Sequence, residues 1–206
     1  MQPKFDQFAP RCMAFSPDQQ QVYFAALRFQ RWDLASGKML NDWQPQSFIA
    51  KALAVAPDGQ SLIATDGKVL MHFNPQNGEL QKNEPLAPGS GNYAHGRLTA
   101  EGDRGVFVKN HSSLDVISLS NPTKPSNIVT RPAPNNSFAI SADGKRVVVA
   151  DSTNKQVIVW DVEKNELIDQ WPVDTIAAQT VALSADGKFV LTCGYHRILQ
   201  LWEMTE

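Results

Sequence analysis

One short phrase recurs five times along this chain, at a spacing of about forty residues. Each copy runs from an apolar residue through a small or polar residue and a Pro or Ala to an acidic residue, and the acidic residues are Asp18, Asp58, Glu101, Asp143 and Asp186. The steps between them are 40, 43, 42 and 43 residues. A fixed period of this length indicates one supersecondary unit that is copied along the chain. The repeat therefore constrains the architecture before any other feature is considered.

Every copy has the same internal order of apolar runs. In the second copy they are residues 52–55, 62–64, 69–73 and 80–82. The runs are short and rich in β-branched and aromatic residues, which predicts strands, and Asp-Gly between two of them is a strong hairpin signal. No window shows apolar residues at helical spacing over three turns. Four strands in forty-odd residues predict an all-β chain built from the four-stranded blades of a β-propeller.

The end of the third predicted strand carries a family resemblance. Trp-Asp stands there in two copies, at 32–33 and 160–161, and related pairs stand at 73–74, 119–120 and 202–203. On these motifs the whole chain resembles the tryptophan–aspartate (WD) repeat β-propellers. The family's Gly-His pair is missing, and Asn154 and His196 occupy positions where the family often has Asp, so the likeness is to divergent bacterial-type repeats. The resemblance implies a rigid disc that presents loops to partner proteins.

The two ends of the chain suggest how such a disc is completed. We expect one propeller domain over 1–206, with blades at about 11–44, 46–84, 92–129, 134–172 and 176–203. The last blade stops after its third strand, and residues 4–9 resemble a fourth strand, so we expect a five-bladed ring closed by the N-terminal strand. Such an overlap would remove two free sheet edges. The alternatives are a partial arc of a seven-bladed propeller, or two chains that complete one larger ring; the expected state is a monomer or a dimer.

Composition excludes several classes of partner. The formal net charge is −2, with 42% hydrophobic and 19% charged residues, which is ordinary for a soluble globular protein. This charge provides no general attraction to nucleic acid or to anionic membranes. No apolar run approaches the ~18 to 20 residues of a membrane span. The first residues have no apolar signal core, which favours a cytoplasmic location, or a periplasmic one if a leader was removed.

No catalytic or metal-binding constellation is visible. The regular placement of Asp18, Asp58, Asp143 and Asp186 predicts turn residues that bond their own backbone, not paired catalytic acids. No closely spaced His or Cys ligand pair, nucleophile elbow or phosphate-binding glycine loop occurs. We therefore expect no enzyme activity, no catalytic residue, no metal and no cofactor.

For five further residues the sequence predicts burial or exposure but no catalytic or metal-binding role. Cys12 and Cys193 fall inside predicted strands, which favours buried thiols, although ring closure makes a disulfide geometrically conceivable. His72 alternates along a third strand and is expected to be structural or solvent-facing. Trp43 and Trp171 end fourth strands, where we expect more exposure than for the tryptophans that recur at the repeat period; an exposed aromatic rim would suit a partner surface.

The candidate binding residues come from loops. In a blade, the loop to the next blade and the loop from second to third strand lie at one end of the ring, and polar or aromatic residues concentrate there: Tyr93, His95, Arg97, His111, Arg131, Tyr195, His196 and Arg197. We predict a non-enzymatic scaffold that binds a protein or peptide with this face. The alternative is a small-ligand or carbohydrate-binding propeller, which would repeat one aromatic–polar pocket in each blade.

Overall fold

The structure is a computed structural model that describes residues 10–86, 93–99, 103–109, 113–119, 126–128, 137–151, 154–173, 178–194 and 199–204. Every regular element in these ranges is a β-strand, which confirms the all-β prediction. Across the same ranges, no helix has the length and apolarity that a bilayer span requires. The chain divides into two compact units, residues 1–102 and 103–206.

The first unit consists of antiparallel meanders. Its described strands are Cys12–Phe15 (β1), Gln21–Ala25 (β2), Phe29–Asp33 (β3), Met39–Trp43 (β4), Ala52–Val55 (β5), Leu62–Thr65 (β6), Val69–Phe73 (β7), Leu80–Pro85 (β8) and Tyr93–Leu98 (β9). Strands β1 to β4 form one four-stranded sheet in chain order, and β5 to β8 form a second. Strand β5 packs against both β1 and β9. Neighbouring strands in the chain are therefore neighbours in each sheet, as the hairpin signals predict.

The second unit repeats this plan. Its described strands are Arg104–Lys109 (β10), Ser113–Ser118 (β11), Ser126–Ile128 (β12), Phe138–Ile140 (β13), Arg146–Asp151 (β14), Gln156–Asp161 (β15), Glu166–Pro172 (β16), Ala178–Leu183 (β17), Phe189–Gly194 (β18) and Leu199–Glu203 (β19). Strand β11 pairs with β10 and β12, β13 to β16 form a four-stranded sheet, and β17 to β19 form a three-stranded sheet, called the last sheet below. Residues 4–9, which we expect to complete it, lie outside the described residues, so closure of a five-bladed ring stays a prediction.

The repeated acidic residues hold the turns, as predicted. The Ser16 hydroxyl donates to Asp18 Oδ1 at 2.5 Å, and the same oxygen accepts the Gln20 N–H at 3.0 Å. The hydrogen bond from Ser16 and the backbone N–H lower the pKa of the Asp18 carboxyl below its ordinary value. Asp58, Asp143 and Asp186 each accept the N–H of the residue two positions later. These carboxylates are therefore turn anchors.

The first of these turns keeps the left-handed backbone conformation even though it has no glycine after its aspartate. Gly144 and Gly187 follow their aspartates with φ of 69° and 70°. Gln19 occupies the same place in the first turn and adopts φ 57°. A left-handed conformation costs a residue with a Cβ about 1–2 kcal/mol, so the first turn is formed against a local penalty. Packing of the strands on either side holds it there.

The tryptophans that end outer strands are not exposed rim residues, which corrects the expectation for Trp43 and Trp171. Trp43 stacks on Phe29 with 5.6 Å between ring centroids and packs against the core of the first unit. Trp171 lies 5.4 Å from the ring of Trp202 in the core of the second unit. Both are half-buried because, within each unit, the sheet that carries the tryptophan packs face to face on a neighbouring sheet, so the outer strand also contributes to the interface.

Gly78 shows how closely the sheets pack. It has φ +74°, and a Cβ placed on it would lie 2.6 Å from Cγ of Trp43. Gly59 has a comparable φ of +68°, but nothing lies within 4 Å of the corresponding Cβ position. The two glycines therefore separate the effect of backbone conformation from the effect of a steric clash.

We predict that Gly78→Ala lowers the free energy of unfolding more than Gly59→Ala does. Both substitutions incur the left-handed penalty of about 1–2 kcal/mol, whereas Gly78→Ala adds about 1–3 kcal/mol because the indole must move. Urea denaturation followed by tryptophan fluorescence measures the difference. Equal losses for the two variants would show that Trp43 does not pack on Gly78 as described.

Candidate functional site

The predicted loop surface is only partly described, and one of its members is buried. Tyr93, at the start of β9, is 1% exposed, so it does not contribute the surface that we expect of it. Its carbonyl accepts a hydrogen bond from Lys51 Nζ, and a Cβ on Gly67 would lie 3.1 Å from its own Cβ. Packing between β9 and the preceding sheet therefore takes Tyr93 into the interior.

The structure describes the remaining loop candidates to different extents. Arg97 is exposed on β9, and only the backbone of His95, in the same strand, is described. The other five lie outside the described residues: His111, Arg131, Tyr195, His196 and Arg197. The loop surface therefore stays a prediction, with Arg97 as its described and exposed member.

His72 on β7 lies in a row of polar side chains. Its Nδ1 is 3.3 Å from Ser61 Oγ, and its Nε2 is 3.6 Å from Glu84 Oε1, which in turn pairs with Lys82 Nζ at 2.9 Å. Burial lowers the pKa of the imidazole, the Glu84 carboxylate opposes that shift, and Lys82 adds to it. A half-buried histidine between a hydroxyl and a carboxylate that also pairs with a lysine is a structural arrangement, in agreement with one of the two expected roles.

The structure also describes the two cysteines and the residues that could ligate a metal ion. Cys12 and Cys193 are free thiols; Cys12 Sγ donates to the Ala25 carbonyl at 3.5 Å. Burial, slightly opposed by Arg11, raises the pKa of the Cys12 thiol to about 12, which makes it a packing residue and not a nucleophile. In the part of the chain that the structure describes, no group of three His, Cys, Asp or Glu residues is placed to hold a metal ion.

Within the second unit, consecutive sheets bury one another. Across β14 and β15, Val148 lies opposite Val159 and Ala150 opposite Val157. All four are 0% exposed and share one cluster with Val190 of the last sheet. The side of one sheet is thus covered by the sheet that follows it in the chain.

Arginines add a polar contact to these junctions. Arg146 Nη1 donates to the Gly187 carbonyl at 2.9 Å, and Arg104 Nη1 donates to the Gly144 carbonyl at 3.2 Å. Each arginine stands three residues after the acidic residue of its own repeat and reaches the turn of the next one. Phe189 occupies this place in the last sheet and is 37% exposed. In the last sheet, the phenyl side chain of Phe189 therefore stands where the two preceding repeats have a hydrogen-bonding arginine.

In the last sheet, the side chains at the positions of these buried valines are exposed. Leu191 lies opposite Leu201, in the register of Val148 and Val159, but the two leucines are 39% and 68% exposed. Leu199 is in the register of Val157 and is 65% exposed. With Phe189 these residues form the C-terminal face, defined as Phe189, Leu191, Leu199 and Leu201. It has the composition of a buried sheet interface.

A second exposed surface lies on β1. Met13 and Phe15 are 60% and 53% exposed, while Cys12 and Ala14, on the other side of the strand, pack against the core of the first unit. We call Met13 and Phe15 the β1 face. Each of the two surfaces groups exposed apolar side chains on one side of a strand or sheet, and contiguous exposed apolar patches mark interaction sites.

The energy available at the C-terminal face is substantial. Complete burial of a leucine side chain is worth about 1.5–3 kcal/mol, so Leu199 and Leu201, each about two thirds exposed, forgo roughly 2–4 kcal/mol together. A partner that covers the face would recover this amount before Phe189 and Leu191 are counted.

Sequence reasoning missed this site for a definite reason. The leucines of the last sheet alternate along their strands just as the buried valines of the preceding sheet do, so the residue pattern assigns both to a core. The available signal was a substitution: Phe189 replaces the arginine found at the same place in two preceding copies.

We predict that the imidazole of His72 titrates below its ordinary pKa. Because the folded-state pKa is lowered, the histidine contributes stability that is complete above the unfolded-state value of about 6.5 and is lost as the pH falls below it. Glu84→Gln should lower the pKa of His72 further, and Lys82→Met should raise it. An NMR titration of the ring protons measures all three; shifts of the same sign in both variants would contradict the described row.

Comparison with known proteins identifies the fold. The sequence matches no protein-family model and no curated protein. Among solved structures, the chain is similar to the β-propeller domain of Cps50 (Swd1) from Myceliophteria thermophila, with TM-score 0.71 and 13% sequence identity over 96% of this chain. The chain covers 66% of that domain's chain, about two thirds of its length. The likeness confirms a β-propeller fold; 1677 chains match in the same comparison, so the architecture is too widely used to specify an activity.

Proposed function

We propose that the chain is a non-enzymatic protein-interaction scaffold and that it binds a partner through the C-terminal face. The observation that carries the proposal is the exposure of Leu199 and Leu201, at 65% and 68%, on rows whose counterparts in the preceding sheet are fully buried. The surface therefore has the side chains that form sheet-to-sheet contacts elsewhere in the second unit, and among the described residues of that unit no sheet covers it. A protein partner provides such a cover.

The chemistry of the face favours protein over other ligands. Its four residues carry no charge and no hydrogen-bonding side chain, so they offer nothing to a phosphate or to a sugar hydroxyl. Leu191 and Leu201 lie directly opposite each other on adjacent strands, which makes the patch continuous. A continuous aliphatic patch is matched by another aliphatic surface, and the apolar centre of protein interfaces has this character.

The scaffold is stiff where it supports the face. Ser184 donates to Asp186 at 2.6 Å and accepts the Phe189 N–H at 2.8 Å, which fixes the turn between β17 and β18. The opposite side of the same sheet is locked by Val190, at 0% exposure. A surface that is already ordered loses little conformational entropy on association, which favours binding.

The loop residues form a second part of the proposal. Arg97 is exposed, and a loop surface around it would recognise a polar segment of a partner. The two parts are separable by experiment because they involve different residues.

We expect a photo-activatable phenylalanine derivative at position 201 to cross-link to a partner protein in the cells that produce the chain. The same derivative at Ile168, an exposed residue of β16 at 42%, is the matched control, and a third at Arg97 tests the loop surface. Mass spectrometry of the cross-linked product identifies the partner. A product at 168 equal to that at 201, or no product at 201, would refute the assignment of the C-terminal face.

A further inference from the structure

We propose that Asn77 is a site of spontaneous covalent modification, at which the backbone nitrogen of Gly78 attacks the side-chain amide and the asparagine becomes aspartate or isoaspartate. The site lies in the turn of residues 74–79, between β7 and β8. Asn77–Gly78 is the single Asn-Gly pair in the sequence. The reacting atoms belong to one turn, so the reaction depends on no contact outside the first unit and on no residue of the C-terminal face.

Gly78 permits the attack, and the packing of the first unit keeps a glycine at this position. A Cβ would crowd the approach of the backbone nitrogen to the preceding amide, and glycine has none. The φ of Gly78 is +74°, and a Cβ placed on it would lie 2.6 Å from Cγ of Trp43. The glycine half of the reactive pair is therefore required by the fold.

The corresponding turn of the first repeat has the same shape without the reactive amide. Gly37 has φ 64°, and its N–H donates to the Asp33 carbonyl at 2.9 Å. In the same way the Gly78 N–H donates to the Asn74 carbonyl at 2.8 Å. Ser36, which precedes Gly37, has no side-chain carbonyl carbon for a nitrogen to attack. The turn shape thus does not require an amide at position 77, and the asparagine is what makes this turn reactive.

The side-chain amide of Asn77 is held and polarised by Glu79. The Glu79 N–H donates to Oδ1 of Asn77 at 2.9 Å, and Nδ2 of Asn77 donates to Oε2 of Glu79 at 3.4 Å. An N–H that is already directed at a carbonyl oxygen stabilises the negative charge that develops there during attack. Since nucleophile and amide are neighbours in the chain, the attack also has the advantage of an intramolecular reaction.

The closed turn restrains the nucleophile. The Gly78 N–H must leave the Asn74 carbonyl before its nitrogen can attack. Oδ1 of Asn74 accepts the N–H groups of Gln76 and Asn77 at 2.8 and 3.3 Å, which keeps the turn closed. The net contribution of a hydrogen bond of this kind corresponds to a factor of about two to ten in an equilibrium constant. The modification is therefore slow in the closed turn and faster whenever the turn opens.

The chemistry is redox-neutral and needs only water. The Gly78 nitrogen gives its proton to water and bonds to Cγ of Asn77, while the bond from Cγ to Nδ2 breaks and Nδ2 takes a proton from water and leaves as ammonia. Water then opens the resulting cyclic imide. Cleavage between Cγ and the nitrogen gives aspartate, and cleavage at the main-chain carbonyl carbon gives isoaspartate. The net change consumes water and releases ammonia.

Both products disturb the contact between the first two sheets. Isoaspartate inserts a methylene into the main chain directly before Gly78, which has no free space beside Trp43. Aspartate replaces the amide donor with a second carboxylate next to Glu79, so an attractive contact becomes a repulsive one. We therefore expect modified chains to unfold at a lower urea concentration than unmodified ones.

The test incubates the whole chain at mildly alkaline pH and follows its asparagines by peptide mapping with mass spectrometry. We expect modification at Asn77 to exceed that at Asn41 and Asn165, which precede Asp and Glu. Asn74→Ala removes the side-chain acceptor that closes the turn and should speed the reaction by about two- to tenfold. Asn74→Asp, which retains an acceptor oxygen, is the matched control and should react like the wild type.

Near-UV circular dichroism checks that the variants fold. If Asn74→Ala does not fold, the wild-type chain in urea takes its place, and the same increase in rate over the native chain is expected. Modification at Asn77 that is no faster than at Asn165 overturns the site. A rate for Asn74→Ala equal to that of Asn74→Asp, or a rate in urea equal to the native one, overturns the restraint by the closed turn.

Discussion

Burial of one sheet by the next is the interaction on which the rest of the structure depends. A four-stranded sheet of this repeat has apolar side chains on both sides and too little area to bury them alone. Val148 and Val159 reach 0% exposure only because the following sheet lies on them. Stability in such a repeat is approximately a sum of individual units and the contacts between neighbours, and here the contacts supply the closed core.

The local features of each repeat serve that contact. The Ser–Asp turns set the angle at which the first two strands leave each turn, and the arginines of two repeats bond the turn of the next one. Trp43 and Gly78 fit so closely that a methyl group cannot be added between them. Even Gln19 accepts a left-handed backbone conformation because its neighbours in the sheet require the same turn that glycine forms elsewhere.

The same constraint creates the candidate site. A surface with the residues of a sheet-to-sheet contact stays apolar whether or not another described sheet lies on it. The C-terminal face and the β1 face are surfaces of this kind, and their residues differ from buried counterparts in exposure and not in character. The propeller fold thus explains why the proposed interaction site consists of residues that are ordinary in a β-sheet core.

The sequence by itself determined the strands, their order and the turns. A forty-residue period, alternating apolar runs and Asp-Gly pairs are local signals, and local backbone preferences are sufficient to read them. It also placed the cysteines in strands and the repeated aspartates in turns, where hydrogen bonds now hold them.

Only the tertiary structure decided which of these side chains are covered. Tyr93 is buried and Trp43 is packed between sheets, although both were expected nearer the surface, while Leu199 and Leu201 are exposed despite a core-like pattern. Exposure depends on whether another sheet lies on a given face, and that is a property of residues distant in the chain. Alternation along a strand records which side of the sheet a residue occupies, and it carries no information on what that side meets.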